Sequence, residues 1–96
     1  MAAYVIVDLE VTDAEPYREY QRRVSATIER YGGRYLVRGG RFETLEGDWQ
    51  PKRFVVLEFP SFEQAKAWYD SSEYREILPI RERHARTSFL ALADGV

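Results

Sequence analysis

Asp8 and Glu58 are out of place by type. Each interrupts a run of β-forming apolar residues, Asp8 in YVIVDLEV (4–11) and Glu58 in RFVVLEF (53–59). A carboxylate buried in such a run is costly unless paired, and burial raises its pKa toward the range useful for proton exchange. Arg38 closes the short run RYLVR (34–38) and is the natural counter-charge, because a guanidinium grips a carboxylate by two parallel hydrogen bonds. His84 is the third candidate for acid–base work. It is the only histidine, and an imidazole titrates near neutrality. It lies in WYDSSEYREILPIRERHAR (68–86), an aromatic and charged stretch. From that stretch Trp68, Tyr74 and Arg81, joined by Tyr35 and Arg38, are candidate contacts for a small anionic or carbonyl-bearing molecule. The plainer reading makes Asp8, Arg38 and Glu58 solvated strand ends or a structural ion pair, and His84 a solvated helix end.

Other chemistries find less support. RYGGRYLVRGGR (30–41) holds four of the six glycines and four arginines. It lacks the G-x-x-x-x-G-K-[ST] of a phosphate-binding loop and the G-x-G-x-x-G of a dinucleotide fold, and its glycines leave a helix and separate strands. KRFVVLEF (52–59) approaches the stacking motif of RNA-recognition sheets, but Val56 stands where a second aromatic belongs and Arg53 replaces the glycine. Fourteen basic against sixteen acidic residues give a net charge of −2. Nucleic acid is therefore not an expected partner. One histidine, no cysteine and no HxxxH or HxxE spacing leave no metal site, and no cofactor is expected.

The elements that must position these residues follow one another without a linker, so residues 1–96 read as one domain. The alternation in 4–11 predicts a strand with Val5, Val7, Leu9 and Val11 on one face and Tyr4, Ile6, Asp8 and Glu10 on the other. A helix follows, opened by Thr12 with Glu15 as a capping box or by Asp13, with Pro16 in its first turn. Tyr17, Tyr20, Val24, Ile28 and Tyr31 form its apolar stripe, and Gly32 ends it. RYLVR is a short strand. Gly39-Gly40 makes a reversal into a second short strand, RFETLEG (41–47). GDWQP (47–51) is a turn, and 53–59 is a strand closed by Pro60. Ser61 with Gln64 caps a helix that turns Phe62, Ala65, Trp68 and Tyr69 inward. A helical turn from Ser72 breaks near Pro79, and TSFLALA (87–93) is the closing strand. Without the extra strand the order is the split β-α-β, or ferredoxin-like, plan: α+β, with two helices on one face of an antiparallel sheet.

A sheet with one wet face alternates cleanly between apolar and polar residues. These strands are apolar on both sides: Val5, Val7 and Leu9 oppose Tyr4 and Ile6, and Val55, Leu57 and Phe59 oppose Phe54 and Val56. The uncovered face is expected to pack on a second copy in a two-fold homodimer.

The landmarks IVDLEVTD (6–13), YGGRYLVRGG (31–40), EGDWQPKRFVVLEFPS (46–61) and WYDSSEY (68–74) occur in that order and span nearly the whole chain. They resemble a bacterial family of uncharacterised domains, number 1330 in the domain-of-unknown-function series. That resemblance implies the dimeric α/β barrel, a ferredoxin-like fold closed by dimerisation. The wider group includes cofactor-independent and heme-degrading oxygenases, isomerases and stress-response proteins.

Two readings follow. In one, the chain binds a small anionic or carbonyl-containing molecule, as a binding protein or as a cofactor-independent oxygenase or isomerase. In the other, it is a non-enzymatic dimeric stress-response or assembly module. No stretch is apolar for long enough to span a bilayer, and MAAYVIVDLE lacks the features of a signal peptide. No membrane partner and a cytoplasmic location are therefore expected.

Overall fold

The computed structural model describes all 96 residues. Alternation builds β1 (Ala3–Val11): Val5, Val7 and Leu9 are buried on one face, while Tyr4 and Ile6 are half-buried on the other. α1 (Ala14–Arg30) starts at Asp13 rather than Thr12, and no side-chain hydrogen bond caps it. Its stripe of Tyr17, Tyr20, Val24 and Ile28 is buried as the spacing predicts. Gly32 adopts φ +80°, where a side chain would be strained, and its N–H bonds the carbonyl of Glu29.

β2 (Arg34–Arg38) and β3 (Arg53–Phe59) follow, then α2 (Phe62–Asp70), α3 (Ser72–His84) and β4 (Ala85–Asp94). The sheet is antiparallel in the order β2-β3-β1-β4. This is the ferredoxin-like plan. One buried cluster joins Val5, Val7, Leu9, Leu57 and Phe59 of the sheet to residues of all three helices, so the helices share one face.

Three expectations need correction. The helical layer has three helices, not two, because α3 runs through Pro79 without a break. Proline at that position removes one helical hydrogen bond. Pro79 and Arg75, whose carbonyl loses its donor, are both exposed, so water can replace it. Burial of Tyr74, Ile77, Leu78 and Arg81 holds the helix on the core. Second, residues 41–47 form no strand. Alternating side chains do not suffice without a neighbour to complete the backbone ladder, and β2 ends the sheet on that side. Third, the outer face is partly covered by the chain itself. The segment between β2 and β3 carries Trp49 onto it, with ring centroids 5.2 Å from Phe54 and 6.3 Å from Phe89. No helix is long and apolar enough to cross a membrane.

Candidate functional site

Between the inner face of the sheet and helices α1 and α3 lies a narrow cavity of about 40 Å³, room for a few waters. Val7, Leu9, Val55, Leu57 and Leu90 form its sheet wall, and the stripe of α1 supplies much of the opposite wall. Trp68 contributes an apolar surface only, since its indole N–H is already donated to Thr27 Oγ1 at 3.0 Å.

Three arginines line this apolar space: Arg38, Arg53 and Arg81. None of them has a carboxylate within 4.0 Å, and no Asp or Glu lines the cavity. Composition is not the reason, because acids outnumber bases in the chain. Seven of the twelve arginines are ion-paired, and the five without a partner are Arg38, Arg41, Arg53, Arg81 and Arg83. Three of those five meet at one cavity.

Each of the three is held differently. Arg38 ends β2, is exposed, and stacks its guanidinium 4.4 Å from the centre of the Tyr35 ring. The bulge in β2 turns both Tyr35 and Arg38 toward the helices: Tyr35 pairs with Leu57 and Arg38 with Val55, two inner-face residues. Arg53 opens β3 on that same face and is half-buried. Its guanidinium lies where a β-carbon on Gly39 would be, and Gly39 adopts φ +69°, so glycine makes room for it. Arg81 is only 6% exposed. It donates Nε–H to the Tyr74 hydroxyl at 3.2 Å and an Nη1–H to Thr87 Oγ1.

The tyrosines extend this end of the cavity. The hydroxyls of Tyr74 and Tyr20 are 2.8 Å apart. Two hydroxyl protons share one hydrogen bond, so one is left over. Tyr74 is fully buried behind the cavity, whereas Tyr20 lines it. The satisfied arrangement has Tyr74 accepting from Arg81 and donating to Tyr20, which leaves the Tyr20 proton on the cavity side. Burial pushes Tyr17 up to about 12, although the charges of Arg53 and Arg81 pull the other way. Burial and the neighbouring Tyr74 hold Tyr20 well above its usual value. Both phenols stay protonated near neutrality and act as donors.

The three acid–base candidates lie elsewhere. Asp8 is buried on the outer face and accepts a hydrogen bond from the Trp49 indole N–H at 2.9 Å. Glu58, also on that face, accepts from Arg34 at 2.7 Å and from the Tyr4 hydroxyl at 3.3 Å. The expected pairing of Arg38 with these carboxylates does not occur, because the sheet stands between them. His84 ends α3, with Nδ1 3.9 Å from Asp13 Oδ2. Its carbonyl accepts the backbone N–H groups of Thr12 and Asp13, which ties the start of α1 to the end of α3.

Of the five expected ligand contacts, Tyr35, Arg38, Trp68 and Arg81 line the cavity, and Tyr74 stands behind it. Arg53, Tyr17 and Tyr20 were not anticipated as site residues. Arg53 was legible, since it shares the odd-numbered face of β3 with Val55 and Leu57. The two tyrosines read only as members of an apolar stripe.

A four-stranded antiparallel sheet under one layer of helices, with a cavity between the layers, defines a ferredoxin-like α+β protein. Within that class the chain belongs to the family described as a domain of unknown function, DUF1330, whose sequence profile matches residues 2–95. No curated protein matches by sequence. Among solved structures, the RPA0582 protein of unknown function from Rhodopseudomonas palustris aligns with a TM-score of 0.74 at 20% identity, covering 99% of this chain and 82% of that one. SnoaB, a cofactor-independent oxygenase from Streptomyces nogalater, aligns with a TM-score of 0.66 at 10% identity, over 99% and 93% of the two chains. An antibiotic biosynthesis monooxygenase aligns with a TM-score of 0.53 at 14% identity, over 100% and 99%. These likenesses show a shared fold.

Proposed function

We propose that this protein binds a small organic anion with an apolar body in the cavity between its sheet and helices. The observation that carries the reading is the convergence of Arg38, Arg53 and Arg81, without a carboxylate, on an apolar and aromatic space. A buried guanidinium lacking an acid partner is costly, and Arg81 is the buried one. An organic anion would supply the missing charge, and the Tyr20 hydroxyl would donate to it. Arg38 and Arg53 are long side chains at the wetter end, so they can move aside to admit a body larger than the present cavity.

The likeness to SnoaB supports an enzymatic form of this reading, in which dioxygen oxygenates the bound anion without a cofactor. With Asp8, Glu58 and His84 away from the cavity, the chain's own contribution there is charge stabilisation and orientation by arginine and tyrosine. The reading includes a two-fold homodimer. Ile6, Phe54, Val56, Phe89 and Ala91 give the outer face an apolar surface that Trp49 covers only in part.

The two tryptophans report separately on the two faces. Benzoate and its neutral counterpart benzamide would be titrated into the protein while the two indole N–H resonances are followed, with Trp49→Phe used to assign them. The proposal expects benzoate to move the Trp68 resonance, benzamide to move it far less, and added salt to weaken the effect. Equal responses to both probes would contradict it. Dilution through the dimer's dissociation should instead move Trp49. A single species at all concentrations by sedimentation, with the mass of one chain, would remove the dimer from the proposal.

A further inference from the structure

We infer that the ligand carries two anionic groups at opposite ends of an apolar body, one taken by Arg81 with Tyr20 and the other by Arg53 with Arg38. This rests on the small-anion reading above and narrows its ligand class.

The placement of the three charges across the sheet is the first argument. Arg38 belongs to the edge strand β2 and Arg53 to its neighbour β3, whereas Arg81 is bonded to Thr87 on β4, the opposite edge strand. Neighbouring strands lie about 4.8 Å apart, so the anchors of the two cationic ends are separated by roughly 10–14 Å. One compact anionic group cannot contact both ends. Between them the sheet wall is Val7, Leu9, Val55 and Leu57, which offers nothing polar to the middle of a ligand.

Charge balance is the second argument. Three like charges around one cavity repel one another, Arg38 least because it is exposed, and a monoanion held at one end would leave the other end uncompensated. Tyr17, which lies within the field of both Arg53 and Arg81, adds a neutral donor between the ends and no negative charge. Each end is also built. Arg81 is fixed by Tyr74 and Thr87, and two of its five N–H groups are used, leaving others free. Arg53 occupies the space that Gly39 leaves at φ +69°, and the N–H of Gly39 is held by the carbonyl of Phe54 at 3.0 Å. Arg38 is stacked on Tyr35.

The test compares benzoate, phthalate and terephthalate by calorimetry, with the Trp68 indole resonance reporting occupancy of the cavity. Phthalate and terephthalate have equal charge, but only terephthalate places its carboxylates at opposite ends of the ring. Terephthalate is expected to bind at least roughly tenfold more tightly than benzoate and to exceed phthalate, as an additional charge-assisted contact requires. Arg53→Gln, which alters a half-exposed side chain and should leave the fold intact, is expected to weaken terephthalate by a clearly larger factor than benzoate, so that the advantage of terephthalate over benzoate is lost. Gly39→Ala should act in the same direction by displacing Arg53. If benzoate and terephthalate bind equally and both move Trp68, the two-anion inference is overturned and the small-anion reading stands. If phthalate equals terephthalate, net charge rather than spacing governs, and the two-ended arrangement fails. If none of the three moves Trp68, both fail together.

Discussion

On the outer face of the sheet, Asp8 and Glu58 each find a donor within the chain: Trp49 for one, Arg34 and Tyr4 for the other. On the inner face, Arg38, Arg53 and Arg81 find no acceptor of opposite charge. The difference lies in what each face can recruit. The outer face is open to a loop and to the neighbouring edge strand, and both bring polar side chains. The inner face is closed by helices whose buried sides are an apolar stripe, with phenols as their main polar groups. Charges are completed from within on one face. On the other they lack an opposite charge, which is why the small-anion proposal centres on the inner cavity and leaves the outer carboxylates a structural role.

The largest expected effect falls on the inner face. Trp68→Ala removes a side chain that is 1% exposed and packs 4.4 Å from the Tyr74 ring, and it should cost about 3–5 kcal/mol in a urea titration. A cost below about 1 kcal/mol would mean that the helical layer is not packed as described.

Alkaline pH tests the same face through its phenols. Tyr17 and Tyr20 have folded pKa values above the ordinary value of 10.0. The folded state therefore holds protons that the unfolded state releases. Their contribution to stability is complete below pH 10 and is lost as pH rises through the folded values, about 12 for Tyr17. Stability should fall by about 1.4 kcal/mol per pH unit for Tyr17 across that window, and Tyr20 should act in the same direction. Absorbance at roughly 295 nm should show Tyr17 and Tyr20 ionising late or only on unfolding. Seven tyrosines titrating together near pH 10 in the folded protein would contradict the burial assigned to them.

Smaller effects are expected on the outer face. Asp8→Ala leaves the Trp49 indole N–H without its acceptor and should cost about 1–3 kcal/mol, whereas Asp8→Asn, which keeps an acceptor, should recover much of that. Neither should alter benzoate affinity. Glu58→Gln should cost about 0–1 kcal/mol, because Arg34 is largely exposed and the pair is well solvated. A loss of anion binding in Asp8→Asn or Glu58→Gln comparable to that in an inner-face arginine variant would erase the distinction between the faces.

Much of the scaffold was legible in local patterns. The alternation of Val5, Val7 and Leu9, the stripe Tyr17–Tyr20–Val24–Ile28, the cap at Ser61 and the left-handed Gly32 all depend on residues a few positions apart. The failures were also local. Pro79 costs its helix one hydrogen bond, which water and the burial of Tyr74, Ile77, Leu78 and Arg81 offset, and RFETLEG alternates without having a strand to pair with. Asp8 and Glu58 stood out because they interrupt apolar runs, but that signal does not distinguish a reactive group from one already satisfied.

Alternation and helical spacing in the sequence determined which residues share a face, the order of the strands and helices, and the presence of charged groups inside the sheet. Tertiary structure decided which charges meet. Trp49 reaches Asp8 across 41 residues, and Tyr20 reaches Tyr74 across 54. Arg38 and Arg81, anchored toward opposite edges of the sheet, line one cavity. The physical reason is that a period places a side chain relative to its near neighbours only. Its distant partner depends on the path of loops such as 39–52, which carry no period, and on a β-bulge that turns Arg38 to the inner face.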